Sequence, residues 1–389
     1  MEWRRRARGG RETLFLIFSR SCVLLGLLVF CSAAAGRDSA GQARSEDGVM
    51  EGPRGPVRGY RLADHLRSEA TSSVDIQGWE YTLETDAGDW FFVTGFCSRV
   101  WFMPSICGVE ISWASPSTGR EEVMGHRVPH DQFTQQSSPV LIQFGPRNWI
   151  RGLPGNGHRL HVETDWHVGL VLDVSFQDAW EGFVLGDGVF RLPGGEPLVQ
   201  NAVGIPRARF EGSAVWGGDA EPIRGWASMQ RMGASRLPTQ ALQRRQWVVS
   251  RHDEVSVIAM SFLTDAGLGS RTGGWLVAVH SGGVVFESRD VTVKWSRTRP
   301  VRNCLLPGAF LLKGVSGERQ LRLGGEGWPP MQVFGMTDSL SSFLRTAIHA
   351  VMGTPVFSRL AGKSEARGGA LGERSLPGSM IQRVECRDK

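Results

Sequence analysis

The sequence lacks the short motifs that identify an enzyme or a metal site. It contains no Cys-x-x-Cys, no His-Glu-x-x-His and no Gly-x-Ser-x-Gly, and its glycine-rich stretches form neither a dinucleotide fingerprint nor a P-loop. Zinc, thioredoxin-like and nucleophile-elbow chemistry therefore have no support, and no cofactor or metal is expected. Tyrosine is also scarce, with 2 residues against 14 tryptophans and 19 phenylalanines. The aromatic surface of this protein therefore carries few hydroxyl groups.

Basic charge is scarce outside the N-terminus. The formal net charge is +5, but residues 1–35 hold six arginines and two glutamates and so contribute +4 of it. The rest of the chain is nearly neutral and offers no persistent basic stripe of the kind that binds nucleic acid. A hydrophobic content of 41% excludes a wholly disordered chain. Only one stretch approaches membrane-spanning length, which excludes a polytopic membrane protein.

Residues 1–35 have the three parts of a secretory signal. Arg4–Arg11 is basic, residues 14–30 are mostly apolar, and Ala33-Ala34-Ala35-Gly36 offers the small residues that a signal peptidase reads. The pattern predicts cleavage after Ala35 and a place in the secretory pathway, either in the lumen of the ER or Golgi or outside the cell. An uncleaved membrane anchor over residues 14–35 and a transit peptide are the alternatives.

Four cysteines remain once this leader is set aside, namely Cys97, Cys107, Cys304 and Cys386. An even number in an oxidising compartment permits disulfides, and four cysteines allow three pairings. Cys97 and Cys107 lie ten residues apart around a predicted strand turn, which makes them the favoured pair. The alternative is four unpaired cysteines that serve as small apolar residues.

The rest of the chain has the pattern of β-strands. After a flexible polar linker over residues 36–59, Trp79, Tyr81 and Leu83 alternate with polar residues, which is typical of a half-buried strand. Short strands follow in two runs, divided near residue 204, and apolar residues at helical spacing predict one helix over residues 338–352. We therefore predict an all-β protein of two tandem antiparallel β-barrels, one over residues 60–203 and one, with the helix, over residues 204–389.

Candidate ligand-binding residues come from these strands. A barrel of about eight strands is either packed solid or holds one small ligand, and pockets for such ligands are mostly apolar. The residues predicted to line a cavity for a lipid tail are Trp79, Tyr81, Trp90, Phe92, Trp226, Met229, Met232 and Trp275. An ordinary packed core is the alternative for each of them. The clustered histidines His158, His161 and His167 are predicted to be surface residues of strands.

The order of several short motifs resembles the fungal survival-factor-one family. Ile205-Pro206-Arg207-Ala208-Arg209-Phe210-Glu211-Gly212 resembles the segment that leads into that family's C-terminal barrel, and Gly225–Met229, Pro238 and Trp247 are similar to its Gly…Met…Pro…Trp segment. Thr239-Gln240 stand where the family carries paired histidines. The resemblance implies tandem lipocalin-like barrels, non-vesicular movement of ceramide between ER and Golgi, survival under oxidative stress, and a cytosolic protein attached to membranes.

Three classes of function follow. The one we expect is a lipid-binding or lipid-transfer protein without catalysis, with a long-chain lipid such as ceramide and a membrane surface as partners. The second is an enzyme, because related double barrels are similar to carotenoid hydratases and tocopherol cyclases; it would need an acid of raised pKa in an apolar cavity. Asp173 and Asp187 suit that role poorly, from strand parity and from a turn position. The third is a structural or adaptor protein with solid barrels. The oligomeric state stays open.

Overall fold

The computed structural model describes residues 50–67, 73–100, 104–164, 169–216, 218–236, 238, 241–302, 304–327, 330–335, 355–371 and 375–387. The leader, residues 36–49 of the linker and the predicted helix over 338–352 lie outside the described residues. Within those residues, no helix has the length and apolar character that crossing a membrane requires.

Nearly all of the described chain is β-strand. The first sheet contains β1 (Arg58–Gly59), β2 (Val74–Thr85), β3 (Trp90–Val100), β4 (Ile106–Ser115), β5 (Arg120–Pro129), β6 (Phe133–Ser137), β7 (Val140–Phe144), β8 (Trp149–Leu153), β9 (Asn156–Glu163), β10 (Leu170–Gln177), β11 (Phe183–Val184), β12 (Val189–Arg191), β13 (Pro197–Trp216) and β14 (Asp219–Ala234). The second contains β15 (Leu242–Arg251), β16 (Ser256–Thr264), β17 (Thr272–His280), β18 (Gly283–Ser288), β19 (Asp290–Val301), β20 (Cys304–Ser316), β21 (Arg319–Glu326), β22 (Gln332–Gly335), β23 (Pro355–Arg367) and β24 (Ser375–Arg387). Described helical elements are the α-helix α1 (Leu62–His65) and the 3-10 helices His130–Gln132, Ala266–Leu268 and Gly369–Leu371.

The strands form where apolar and polar residues alternate. In β10, one face is fully buried and carries Leu170, Leu172, Val174 and Phe176, while the residues between them are only partly buried or exposed. Successive side chains of a strand point to opposite faces, so an alternating segment buries all its apolar residues together only when it is extended. The period-two pattern thus predicts this strand and its inward face correctly.

The first sheet curls into a nearly closed barrel. Its main path runs β5-β4-β3-β2-β14-β13-β10-β9-β8-β7-β6, and β14 pairs antiparallel with β2. The edge strands β5 and β6 are consecutive in the chain and are joined by the 3-10 helix His130–Gln132. The inward faces meet in one apolar cluster, to which β2 contributes Trp79, β7 Phe144 and β13 Phe210. The first predicted barrel is therefore present as a single, nearly closed sheet.

The second sheet curves around a separate core. Its path runs β18-β17-β16-β15-β24-β23-β21-β20-β19. Side chains from strands far apart in this order, among them Val248, Leu276, Phe310 and Met380, belong to one cluster of buried residues. In the described part of the chain, no backbone pairing joins the edge strands β18 and β19. A second closed barrel therefore stays a prediction.

Strand β13 spans residue 204, where the sequence predicts the division between the two barrels. It pairs with β14 over most of its length, and β14 in turn pairs with β2 from Gly225 opposite Thr85 to Ala234 opposite Ile76. These ladders hold β14 in the first sheet. That sheet consequently ends at Ala234, and the second begins at Leu242.

Residues 50–59, the end of the predicted flexible linker, make ordered contacts. Strand β1 pairs with β11, and Glu51 bridges to Arg191. Arg289 donates hydrogen bonds to the carbonyl oxygens of Pro53 and Gly55, both at 2.6 Å. This segment is thus fastened to both sheets, which belong to one compact unit.

Two disulfides are present among the described cysteines. Cys97 and Cys107, the favoured pair, face each other across β3 and β4 with a Cα–Cα distance of 4.0 Å. Cys304 and Cys386 join the start of β20 to the end of β24, at 6.2 Å. Each sheet therefore contains one covalent link between its own strands.

Candidate functional site

The outer face of β2 is covered by the second sheet. Trp79, Tyr81 and Leu83 point into the first sheet, so Glu80 and Glu84 point away from it because of the two-residue period. Glu84 pairs with Arg251 of β15, and Glu80 pairs with Arg383 of β24. Polar residues that alternation alone would place in water therefore lie between two sheets, where pockets can form.

A small pocket lies at this junction, and we call it the Glu84 pocket. Both sheets contribute to its walls, which consist of Thr82, Glu84, Trp90, Pro206, Arg207, Trp226, Ala227, Ser228, Val249, Arg251, Ser256, Ser379, Met380 and Ile381. Seven of these fourteen residues are apolar, and three of the others are charged. Apolar walls with a few polar groups that fix orientation are typical of sites for small organic ligands.

Glu84 is the carboxylate of this pocket. Its side chain is 22% exposed, and one oxygen lies 2.7 Å from a guanidinium nitrogen of Arg251. Burial raises the pKa of Glu84 because it penalises the charged form, and the opposing attraction of Arg251 does not cancel that effect. A raised pKa keeps a carboxyl group protonated to a higher pH than usual, which suits a proton donor, and Arg251 can stabilise the carboxylate that remains.

Trp226 forms the aromatic wall of the Glu84 pocket. The guanidinium carbons of Arg207, Arg209 and Arg251 lie 4.2, 4.5 and 5.2 Å from its ring centroids, within cation–π range. Arg207 is further held by the carbonyl oxygens of His252 and Asp253, which accept hydrogen bonds of 2.7 and 2.9 Å. The indole and its cations are therefore fixed in position, as a binding wall requires.

A second, smaller pocket lies farther along the same junction, and we call it the Glu80 pocket. Its lining is more polar and consists of Glu80, Asn201, Gln230, Met232, Arg245, Trp247, Met260, Arg383 and Glu385. Burial by itself would raise the pKa of Glu80, but Arg383, with help from Arg245 and Arg359, lowers it below the ordinary value. The arginines therefore favour the ionised form of Glu80, which pairs with Arg383.

The eight predicted lipid-lining residues separate into two groups. Trp79, Tyr81 and Met229 lie inside the first sheet. The other five lie on surfaces that face the sheet junction, namely Trp90, Phe92, Trp226, Met232 and Trp275. Phe92 stacks on Trp90 at 6.1 Å beside Ile381. Five of the eight predicted residues therefore border the junction between the sheets, where three pockets lie, and three lie inside the first sheet.

His158 is buried, contrary to the prediction of a surface residue. It shares strand parity with Leu160 and Val162 and therefore points into the first sheet, where its exposure is 1%. Its Nδ1 lies 2.9 Å from the carbonyl oxygen of Gly152, which can only accept, so Nε2 accepts from the Tyr81 hydroxyl at 2.9 Å. Burial lowers the pKa of His158 to about 4.

The sequence alone does not identify Glu84 and Arg251 as functional residues. Glu84 follows Leu83 at the end of an alternating strand, a position that indicates a solvent-facing side chain when no second layer is known. The sequence does point to this region through Trp226, which is one of the residues predicted to line a ligand site. Among the described residues, no cluster of three or more His, Cys, Asp or Glu side chains is placed to hold a metal ion.

No protein-family model and no curated protein matches the chain. Solved structures match at low identity. An AttH-type protein from Nitrosomonas europaea is 13% identical, with a TM-score of 0.58 over 85% of this chain and 98% of that one. Kievitone hydratase from Nectria haematococca is 11% identical, with a TM-score of 0.54 over 85% and 94%. CghA is 10% identical, with a TM-score of 0.54 over 82% and 89%. These likenesses show a shared lipocalin-like barrel fold, and the survival-factor-one resemblance stays a prediction.

Proposed function

We propose that this protein binds a compact, mostly apolar organic molecule in the Glu84 pocket and that Glu84 donates a proton to it. The observation that carries the proposal is a carboxyl group of raised pKa in a pocket walled by Trp90 and Trp226. This is the feature that a hydratase or cyclase acting on isoprenoids or similar alkenes needs. The fold shared with kievitone hydratase agrees with that class.

The chemistry balances around Glu84 alone. Its O–H bond breaks as the proton passes to one carbon of an alkene, whose π electrons form the new C–H bond. Water then attacks the adjacent carbon and loses a proton. In a cyclisation, a second π bond of the substrate attacks instead, and the carbocation that this forms loses a proton from a neighbouring carbon. The proton that this step releases returns to the Glu84 carboxylate, which Arg251 has meanwhile stabilised.

The proposal is tested with Glu84→Gln, which keeps the shape of the side chain and removes the acid. Purified protein is incubated with a panel of isoprenoid and prenylated aromatic alkenes in ¹⁸O-labelled water, and products are analysed by mass spectrometry. We expect the unmodified protein to give a labelled hydrate or an isomer of unchanged mass. Loss of a general acid slows such reactions by about 10²–10⁴-fold.

Glu221→Gln is the matched control, because Glu221 is an exposed carboxylate on the neighbouring strand β14. It should leave turnover unchanged. Equal turnover by Glu84→Gln and the unmodified protein, or no turnover of any alkene by the unmodified protein, would contradict the proposed chemistry.

Binding of a long-chain lipid, ceramide included, is the second proposal. It is supported by the apolar strip of Trp90, Phe92 and Ile381 beside the Glu84 pocket, which could continue the site for an acyl chain. Extraction of the purified protein followed by lipid mass spectrometry, together with uptake of a fluorescent ceramide analogue, tests it. Detection of a stoichiometric lipid with no alkene turnover would replace the enzyme proposal by this one.

A further inference from the structure

A layer of buried polar groups divides the interior of the second sheet. The side chains of Gln246, Ser358 and Gln382 are completely buried. They lie on β15, β23 and β24, where Val384 is opposite both Gln246 and Ser358. On either side of this layer, the buried apolar residues form two separate clusters, one with Val248 and Phe310 and the other with the Cys304–Cys386 disulfide.

These groups lack hydrogen-bond partners in the described part of the chain. The Nε2 atom of Gln246, both amide atoms of Gln382 and the hydroxyl of Ser358 are buried and unpaired. Leaving a buried polar group without a partner costs roughly 1–3 kcal/mol, so native proteins rarely tolerate it. Four such atoms on three neighbouring strands therefore make this layer a place where a polar partner would be stabilising.

The orientation of the Gln246 amide shows which hydrogen-bonding groups a partner of this layer needs. Its Oε1 accepts hydrogen bonds from the indole nitrogen of Trp295 at 2.6 Å and from the Ser261 hydroxyl at 3.0 Å. An indole N–H can only donate, so the oxygen is assigned without ambiguity and Nε2 presents two donors to the interior. The layer is therefore rich in donors and needs acceptor oxygens.

A cation without a carboxylate lies beside the layer. Arg244 is on the inward face of β15, two residues from Gln246, and its guanidinium lies over the Trp295 ring at 4.8 Å. In the described part it donates to the Leu305 carbonyl oxygen at 2.7 Å and forms no ion pair, and its buried Nε has no acceptor. An uncompensated cation next to unpaired donors is complementary to an anion.

We propose that the interior of the second sheet binds a carboxylic acid with an apolar body, its carboxylate held by Arg244 and the amides of Gln246 and Gln382. A carboxylate offers about four lone-pair sites, enough for the unpaired donors. The flanking apolar clusters suit a hydrocarbon body. This site is distinct from the Glu84 pocket, which lies on the outer face of the same sheet.

The test is calorimetric titration of the full protein with decanoate, with 1-decanol as the uncharged comparison. We expect decanoate to bind, and decanol to bind at least about ten-fold more weakly, because hydrogen bonds and charge at the head group supply that difference. Arg244→Met should weaken decanoate binding by a similar factor. Gln382→Met should weaken it as well while leaving the ligand-free protein at least as resistant to urea, since it removes an unpaired buried amide.

Two controls separate this site from others. Arg322→Met removes an exposed arginine from β21 of the same sheet, and Glu84→Gln alters the pocket between the sheets; both should bind decanoate normally. Decanoate binding that Glu84→Gln abolishes would place the ligand in the other pocket and overturn this proposal. Failure of decanoate to bind, or equal binding of decanol, would overturn it too and would indicate that water alone fills the layer.

Discussion

At the scale of single residues, surroundings give identical side chains different chemistry. Glu80 and Glu84 lie on the same face of β2, four residues apart. Three arginines keep the pKa of Glu80 low, whereas burial raises the pKa of Glu84 in spite of Arg251. This difference favours a structural role for Glu80 and agrees with the proton-donating role that we propose for Glu84.

The buried His158 predicts a loss of stability in mild acid. Its pKa is about 4 in the folded protein, below the ordinary value of about 6.5 that it regains on unfolding. The unfolded chain therefore binds the proton first, so the stabilising effect is complete above pH 6.5 and is lost as the pH falls from 6.5 to 4. The expected loss is roughly 3 kcal/mol for this residue. Urea unfolding at pH 7.5, 5.5 and 4.5 measures it.

His158→Gln identifies the source of that pH dependence. A glutamine can still bond to Tyr81 and Gly152, but it does not titrate, so the stability of this variant should fall less steeply with acid. His130→Gln, which changes an exposed histidine, should keep the full slope. Identical slopes for His158→Gln and the unmodified protein would show that His158 is not the responsible group.

At the scale of strands, alternation predicts a face but not what covers it. Trp79 and Tyr81 alternate with polar residues and lie inside the first sheet, as an alternating pattern implies. Trp90 and Phe92 belong to an unbroken apolar run in β3 that is buried on both sides, and they face the junction. No local pattern distinguishes these two situations, because docking of a second sheet is a long-range event. The strands could therefore be predicted, and the Glu84 pocket could not.

The ion pair between β2 and β24 predicts a strong effect of removing one partner. Glu80→Gln leaves Arg383 buried without its carboxylate, which typically costs about 3–5 kcal/mol of unfolding free energy. The double variant Glu80→Met with Arg383→Met should recover most of that loss, since no charge remains unpaired. Urea unfolding of the single and double variants measures the coupling. As a control, Glu326→Gln removes one partner of the exposed pair with Arg297 and should change the unfolding free energy by less than about 1 kcal/mol. A loss as large as that of Glu80→Gln would contradict the claim that burial makes the Glu80–Arg383 pair more important.

At the scale of the whole molecule, the two disulfides constrain very different lengths of chain. Cys97–Cys107 closes a loop of 10 residues, and Cys304–Cys386 closes one of 82. In the chain-entropy description, the longer loop restricts the unfolded state more, by about 2 kcal/mol. Replacing Cys304 and Cys386 by alanine should therefore lower the unfolding free energy by about 2 kcal/mol more than the same change at Cys97 and Cys107. A larger loss for the short loop in urea titrations would contradict this ranking.

Each of the two sheets contributes one wall of the Glu84 pocket. The proposed activity therefore depends on how the two sheets pack against each other. Suppose that each sheet folded normally but the two sheets packed together shifted by one residue pair. Spectra that report secondary structure would then be unchanged. Glu84 would nevertheless lose Arg251, and Trp226 would no longer face Ile381. The turnover that we propose would vanish in a preparation that looked native by circular dichroism. Comparing specific activity with folded fraction across refolding conditions would thus measure how faithfully the two halves assemble.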